Sequence, residues 1–158
     1  MMEGSEFRRI LGHFATGVTV VTSRVGELPC GLTVNAFGSV SLDPPLILIC
    51  VEQSADSHAC FEAAGFFVVN VLDEERGESL SRRFATWGVD DKFRGVAYRT
   101  EASGAPVLED ALAWLDCRIV NAVPAGDHTI FIGEVVAGNA REGAPLVYYR
   151  GGYGRFVS

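Results

Sequence analysis

The stretch GLTVNAFGSVSLDPPLILICVE, residues 31–52, decides how the chain is read. Its first half is strand-like and polar, with small hydroxyl residues (Thr33, Ser39, Ser41), an amide (Asn35) and two small residues (Ala36, Gly38). Pro44 and Pro45 interrupt it, because proline removes a backbone donor and fixes φ. LILICVE (46–52) then reads as a buried strand. Small side chains let backbone amides and carbonyls approach a flat ring, and hydroxyls with backbone N–H groups can hold a phosphate. The same residues also fit a polar strand edge followed by a loop, so the stretch alone leaves two readings open.

Upstream, VTVVTSR (18–24) is rich in β-branched residues, which pack well on a pleated surface. Ahead of it, Phe7, Ile10, Leu11 and Phe14 recur at helical spacing, with Ser5 as the cap and Gly17 as the stop. Downstream, residues 54–65 read as a short helix ended by Gly65, and FFVVNVL (66–72) as a strand. DEERGESLSRRFA (73–85) reads as a helix whose acids lead and whose arginines trail, in line with the helix dipole. Residues 88–106 read mostly as loop. WLDCRIVNAV (114–123) and TIFIGEVVAGNA (129–140) flank a turn and predict a long hairpin, and PLVYYRGGYGRF (145–156) adds a short strand. Strands in succession with few helices predict a mainly β barrel with small flanking helices rather than a βαβ fold.

The 158 residues predict one domain, residues 1–158, and the chain is long enough to bury a core. Charged residues make up 21% and apolar ones 48%, which is a globular rather than a disordered composition. A net charge of −7 argues against nucleic acid or an anionic membrane as partner. The longest apolar run, PPLILICV, is too short to span a bilayer, and the N-terminal residues show no secretory pattern. Cys30, Cys50, Cys60 and Cys117 form no CxxC and show no zinc-ligand spacing. All four are expected to be reduced thiols of a cytoplasmic protein.

Several chemistries are excluded by motif. Gly152-x-Gly154 lacks the helix that a dinucleotide fingerprint must open, and no phosphate-binding P-loop or G-x-S-x-G elbow occurs. His13, His58 and His128 form no clustered ligand set, so no metal is expected.

FRRILGHFATGVTVVTS, GLTVNAFGSVSLDPPLILICV, LSRRFA, DKF and GDHTIFIGEV occur in the order seen in the flavin reductase-like family, which the chain resembles from about Phe7 to Phe156. The resemblance implies the FMN-binding split β-barrel of Greek-key type. It implies a homodimer that reduces FMN or FAD with NADH or NADPH and supplies reduced flavin to a separate monooxygenase. No Arg/Lys cluster reads a 2′-phosphate, which favours NADH.

By resemblance, Thr33, Val34, Asn35 and Ala36 line the isoalloxazine edge, with Ser39 and Ser41 toward the ribityl and phosphate. Cys50 and Val51 pack near the ring, although Cys50 also fits a core thiol. Ser57 can donate to ribityl or phosphate, or simply cap a helix. Arg82 and Arg83 are adjacent and cannot face the same way on a helix. The resemblance puts Arg83 and Phe84 at the pocket, where a guanidinium suits phosphate oxygens. Lys92 and Phe93 are expected to cap the pocket from a loop, or else to be a surface lysine and a core phenylalanine. Tyr149, Arg150 and Tyr153 flank the nicotinamide or adenine, or pack a dimer.

His128 is expected on the nicotinamide side and is the candidate catalytic residue, able to bind the carboxamide, shield the ring or supply a proton. Gly126 reads as a turn former, and Asp127 as a turn former first, with orientation of His128 as the alternative. Two other functions compete: a non-enzymatic flavin carrier or sensor, and an oxidase of the pyridoxamine-phosphate type.

Overall fold

The computed structural model describes residues 1–158. In chain order the elements are α1 (Gly4–Leu11), β1 (Thr16–Gly17), β2 (Thr19–Val25), β3 (Leu28–Val34), β4 (Phe37–Leu42) and β5 (Pro45–Glu52). Then come α2 (His58–Ala64), β6 (Phe66–Leu72), α3 (Gly77–Ala85), β7 (Tyr98–Thr100) and β8 (Pro106–Leu108). The chain closes with β9 (Ala111–Ala125), β10 (His128–Ala140), β11 (Leu146–Tyr149) and β12 (Gly152–Arg155).

Seven strands form one antiparallel sheet in the order β3-β2-β6-β9-β10-β5-β4. Its two edge strands, β3 and β4, are consecutive in sequence and joined only by Asn35 and Ala36. The sheet therefore curls until its ends meet without pairing, which is the split of the expected barrel. The Cys50 amide donates to the Ala36 carbonyl at 3.0 Å and pins this junction to β5.

Hydrophobic pattern explains the curl. In β5, Ile47, Ile49 and Val51 are buried while the residues between them are half-buried, the period-two signature of a strand with one face on the core. In β2 both faces are covered. Val21 belongs to the barrel interior with Ile49, Phe67 and Phe131, whereas Val20 packs outward with Leu72, Phe84 and Leu146. That double burial accounts for the unbroken VTVVTS run, and the hydroxyls inside it find carbonyls: Ser23 donates to Phe66 at 2.7 Å and Thr22 to Pro106.

The predicted hairpin is β9–β10, closed by the two-residue turn Gly126–Asp127 with Gly126 at φ +63. Its register shifts at Ile132/Gly133, where a Cβ on Gly133 would lie 2.7 Å from the Phe67 ring and 2.9 Å from the Cys117 Cβ. Only a bare backbone fits between those two side chains.

Several local expectations need correction: the helix expected over 73–85 begins only at Gly77, and the tail forms two strands, β11 and β12, rather than one. α1 starts at Gly4, with Glu3 rather than Ser5 as its cap residue, and stops at Leu11 rather than near Gly17, whose residues join β1. No residue of α1 is buried, so its apolar face has no partner within the chain. The 88–106 segment contains β7 and part of the β7–β8 hairpin, whose short strands carry too little alternation to register as a pattern. Finally, Cys30 and Cys60 form a disulfide between β3 and α2 with Cα atoms 6.6 Å apart. Spacing could not reveal it, because folding rather than sequence brings the two together. Cys50 and Cys117 are free.

No helix is long and apolar enough to cross a membrane.

Candidate functional site

A cavity of about 280 Å³ opens at the split, where β3 turns into β4. Leu32, Thr33, Val34, Asn35 and Ala36 form one wall, Cys50 and Glu52 a second, and Ala55, Asp56 and Ser57 a third. Phe84, Ala85, Trp87 and Lys92 close it from α3 and the segment after it, and His128 stands at the hairpin mouth. Strand alternation puts these side chains here: with Ile49 and Val51 facing the core, Cys50 and Glu52 face the cavity. A second hollow of about 600 Å³ adjoins it through Asp56, Ser57 and Lys92.

The polar groups divide into occupied and free. The Thr33 hydroxyl donates to the Ser81 carbonyl at 2.6 Å and the Ser57 hydroxyl to the Gly31 carbonyl at 3.0 Å. Ser57 is the cap residue of α2, yet its side chain braces β3 instead of capping the helix. The Asn35 amide has no partner within the chain. The Lys92 ammonium reaches the carbonyls of Phe84 and Gly31 only at 3.3 and 3.4 Å. Burial pushes the Lys92 ammonium below its ordinary value, and the Asp56 carboxylate opposes that shift. A half-buried cation held this loosely suits an anionic partner. Burial raises the Cys50 thiol, which is therefore a neutral, packing sulfur rather than a nucleophile.

His128 is the only histidine on the cavity. His58 Nε2 meets the Thr129 hydroxyl at 2.8 Å, and His13 Nδ1 meets the Arg9 carbonyl at 2.9 Å. His128 Nδ1 lies 2.6 Å from Asp127 Oδ1, and the Gln53 side-chain amide donates to the His128 carbonyl at 3.1 Å. The hydrogen bond and charge of His128 hold the exposed Asp127 carboxyl below its usual range. Asp127 is thus more than a turn former: it occupies Nδ1 and leaves Nε2 as the free ring nitrogen.

Other candidates lie elsewhere. Val51 is in the barrel core. Ser39 and Ser41 sit on the edge strand β4, outside the cavity lining. The Arg83 guanidinium donates to the carbonyls of Lys92 and Arg94, so it shapes the segment that carries Lys92. Tyr153 bonds the Ser81 hydroxyl at 2.6 Å under the Arg82 guanidinium, and Tyr149 and Arg150 lie beside the end of α1. Sequence reasoning missed Glu52, Asp56 and Trp87. Trp87 carried one signal, its position between LSRRFA and DKF, but no periodicity marks it.

The lining suits a flat heteroaromatic ring with a polar edge and an anionic tail: exposed backbone and a free amide on one side, small apolar surfaces on the other, one desolvated cation. Known proteins share this arrangement of chain. The sequence profile of the flavin reductase like domain matches residues 11–156. The reductase component of a 4-nitrophenol 4-monooxygenase/4-nitrocatechol 2-monooxygenase from Rhodococcus opacus is 44% identical over 156 residues, spanning 99% of this chain and 83% of that one. An FMN reductase (NADH) of Agrobacterium fabrum is 44% identical over 150 residues, spanning 95% and 84%. A solved NADH:FAD oxidoreductase from Streptomyces globisporus superposes with a TM-score of 0.90 at 41% identity, covering 100% of this chain and 98% of that one.

Proposed function

The chain belongs to the flavin reductase like domain family, and from that premise we propose that it transfers hydride from NADH to FMN or FAD held in the cavity at the split. The reduced flavin leaves to serve a separate flavin-dependent monooxygenase. One domain, residues 1–158, carries the reaction. The observation that supports this reading most is convergence: Thr33, Val34, Asn35, Ala36, Cys50, Ser57, Phe84, Lys92 and His128, drawn from distant parts of the chain, line one cavity.

A bound isoalloxazine supplies the hydride acceptor, and the protein supplies position and protons. The backbone of residues 32–36 and the Asn35 amide would hold the ring's polar edge. Lys92, the one cation on the lining, would hold the anionic tail. Hydride transfer needs two rings held at contact distance and water kept out. His128 closes the mouth, and its Nε2 can bind the nicotinamide carboxamide or deliver a proton to the reduced ring, while Asp127 fixes the imidazole's orientation. The absence of an Arg/Lys cluster for a 2′-phosphate and the NADH-dependent relatives support NADH over NADPH.

Mixing the protein with NADH or NADPH and FMN or FAD, and following loss of reduced nicotinamide, tests the proposal. Turnover with NADH is the expected result. A stoichiometric yellow protein that oxidises neither nucleotide would instead identify a flavin carrier.

The protein works as a homodimer in this reading. The bare apolar face of α1, with Phe7, Ile10, Leu11 and Phe14 exposed beside Tyr149, supports it. The cytoplasm, where reduced nicotinamide nucleotides are generated, is the proposed compartment. The Cys30–Cys60 bridge weighs against that placement, and cell fractionation decides it.

A further inference from the structure

Trp87 lies two residues beyond the end of α3, lines the cavity next to Ala85 and Lys92, and leaves 57% of its surface exposed. No ring or cation of the chain stacks on it. Phe84, Phe93 and Tyr98 stack among themselves, and Arg99 covers the other tryptophan, Trp114. The strap that carries the indole is nevertheless held at three points. The Thr86 hydroxyl donates to the Arg82 carbonyl at 2.8 Å, the Gly88 amide reaches Asp56 across the cavity at 3.4 Å, and the Arg83 guanidinium secures the carbonyls of Lys92 and Arg94. A positioned strap thus presents an unpartnered ring at the rim of a cavity shaped for another ring.

We propose that Trp87 stacks on the isoalloxazine of the bound flavin and favours its oxidised form, so that its grip loosens when the ring is reduced and the product must leave. The proposal rests on the cavity being the flavin site. Its physical basis is electronic. Indole is an electron-rich ring, and aromatic stacking depends on complementary charge distribution. The oxidised isoalloxazine is planar and electron-poor. Two added electrons make it electron-rich and less planar, which removes the complementarity. A contact that holds only the oxidised form lowers the reduction potential of the bound flavin by linkage. For a two-electron couple a tenfold change in the affinity ratio corresponds to about 30 mV.

Dissociation constants of oxidised and anaerobically reduced FMN and FAD, measured for the wild type, Trp87→Ala and Trp87→Phe, test it. The indole is exposed, and thermal melts confirm that both variants fold. Trp87→Ala is expected to weaken oxidised FMN and FAD alike by about tenfold, the scale of one lost stacking ring. Trp87→Phe should recover most of that loss. Reduced flavin should bind all three proteins equally, and the potential of the bound flavin should rise by about 30 mV in Trp87→Ala. Equal weakening of oxidised and reduced forms overturns the redox preference. Weakening with FAD but not FMN makes the adenine the stacked ring and overturns the assignment to isoalloxazine. Unchanged binding in Trp87→Ala removes Trp87 from the site and leaves the flavin cavity standing. A wild type that binds no flavin overturns the cavity reading and this proposal together.

Discussion

At the scale of single residues, the Asp127–His128 pair sets the local chemistry. The carboxylate engages Nδ1 and leaves the other nitrogen free, so the two residues have separable roles. His128→Ala should lower the turnover of flavin reduction and raise the apparent KM for NADH while the dissociation constant for flavin stays nearly constant. Asp127→Asn should give a milder loss of the same kind, because the imidazole remains and only its orientation relaxes. If both variants keep wild-type turnover and KM, the pair only closes the hairpin. The histidine was legible in the sequence, because GDH opens an apolar strand. The carboxylate's contact was legible only as the less favoured alternative to a plain turn. Asp and Gly are common turn residues whatever they touch, and only the side-chain conformations at the turn show the two residues meeting.

Among elements, the tie between the start of α3 and the end of β10 responds to pH. Asp73 accepts from the Arg76 amide at 2.9 Å in the turn leading into α3, and its other oxygen pairs with the Arg141 guanidinium just past β10. Burial pushes the Asp73 carboxyl up, but the Arg76 amide and Arg141 together outweigh it and leave the group below its ordinary value of 3.8. A carboxylate lowered in the folded state stabilises the protein above its unfolded value, and that contribution is lost as pH falls through the folded value. Arg141→Met removes the counter-charge and one of the hydrogen bonds that offset burial, while the Arg76 amide remains, so acid unfolding should begin at higher pH than in the wild type. An unchanged acid midpoint in a pH titration followed by circular dichroism would sink this account. The elements were largely readable from sequence: β2, β5, β6 and the long hairpin fall where periodicity and turn residues put them. The β7–β8 hairpin was hidden because three-residue strands carry too little pattern, and α1 was read too long because its apolar spacing runs on past Leu11 to Phe14.

For the whole molecule, the feature awaiting a partner is the apolar surface of α1. Phe14 is 78% exposed and Leu11 54%, while Tyr149 lies edge-on to His13 and the Arg150 amide donates to the Gly12 carbonyl at 3.0 Å. Helix and tail therefore share one face, and covering it with a second copy would remove several large apolar side chains from water. Phe7→Glu combined with Leu11→Glu should convert a dimer to a monomer in sedimentation equilibrium. A wild type that already sediments as a monomer rules the dimer out. The sequence by itself determined the class of fold, the main strands of the large sheet and most of the segments that line the cavity, since periodicity and turn chemistry are local properties and the order of GLTVNAF, LSRRFA, DKF and GDH is written along the chain. Tertiary structure alone decided which of those residues meet. It turned Cys50 to the cavity and Val51 to the core, turned Arg83 away to hold the strap, joined Cys30 to Cys60, and brought Trp87 to the rim. The reason is geometric. A seven-stranded sheet curled on itself makes neighbours of residues 30 to 95 positions apart, and no local pattern encodes that curl.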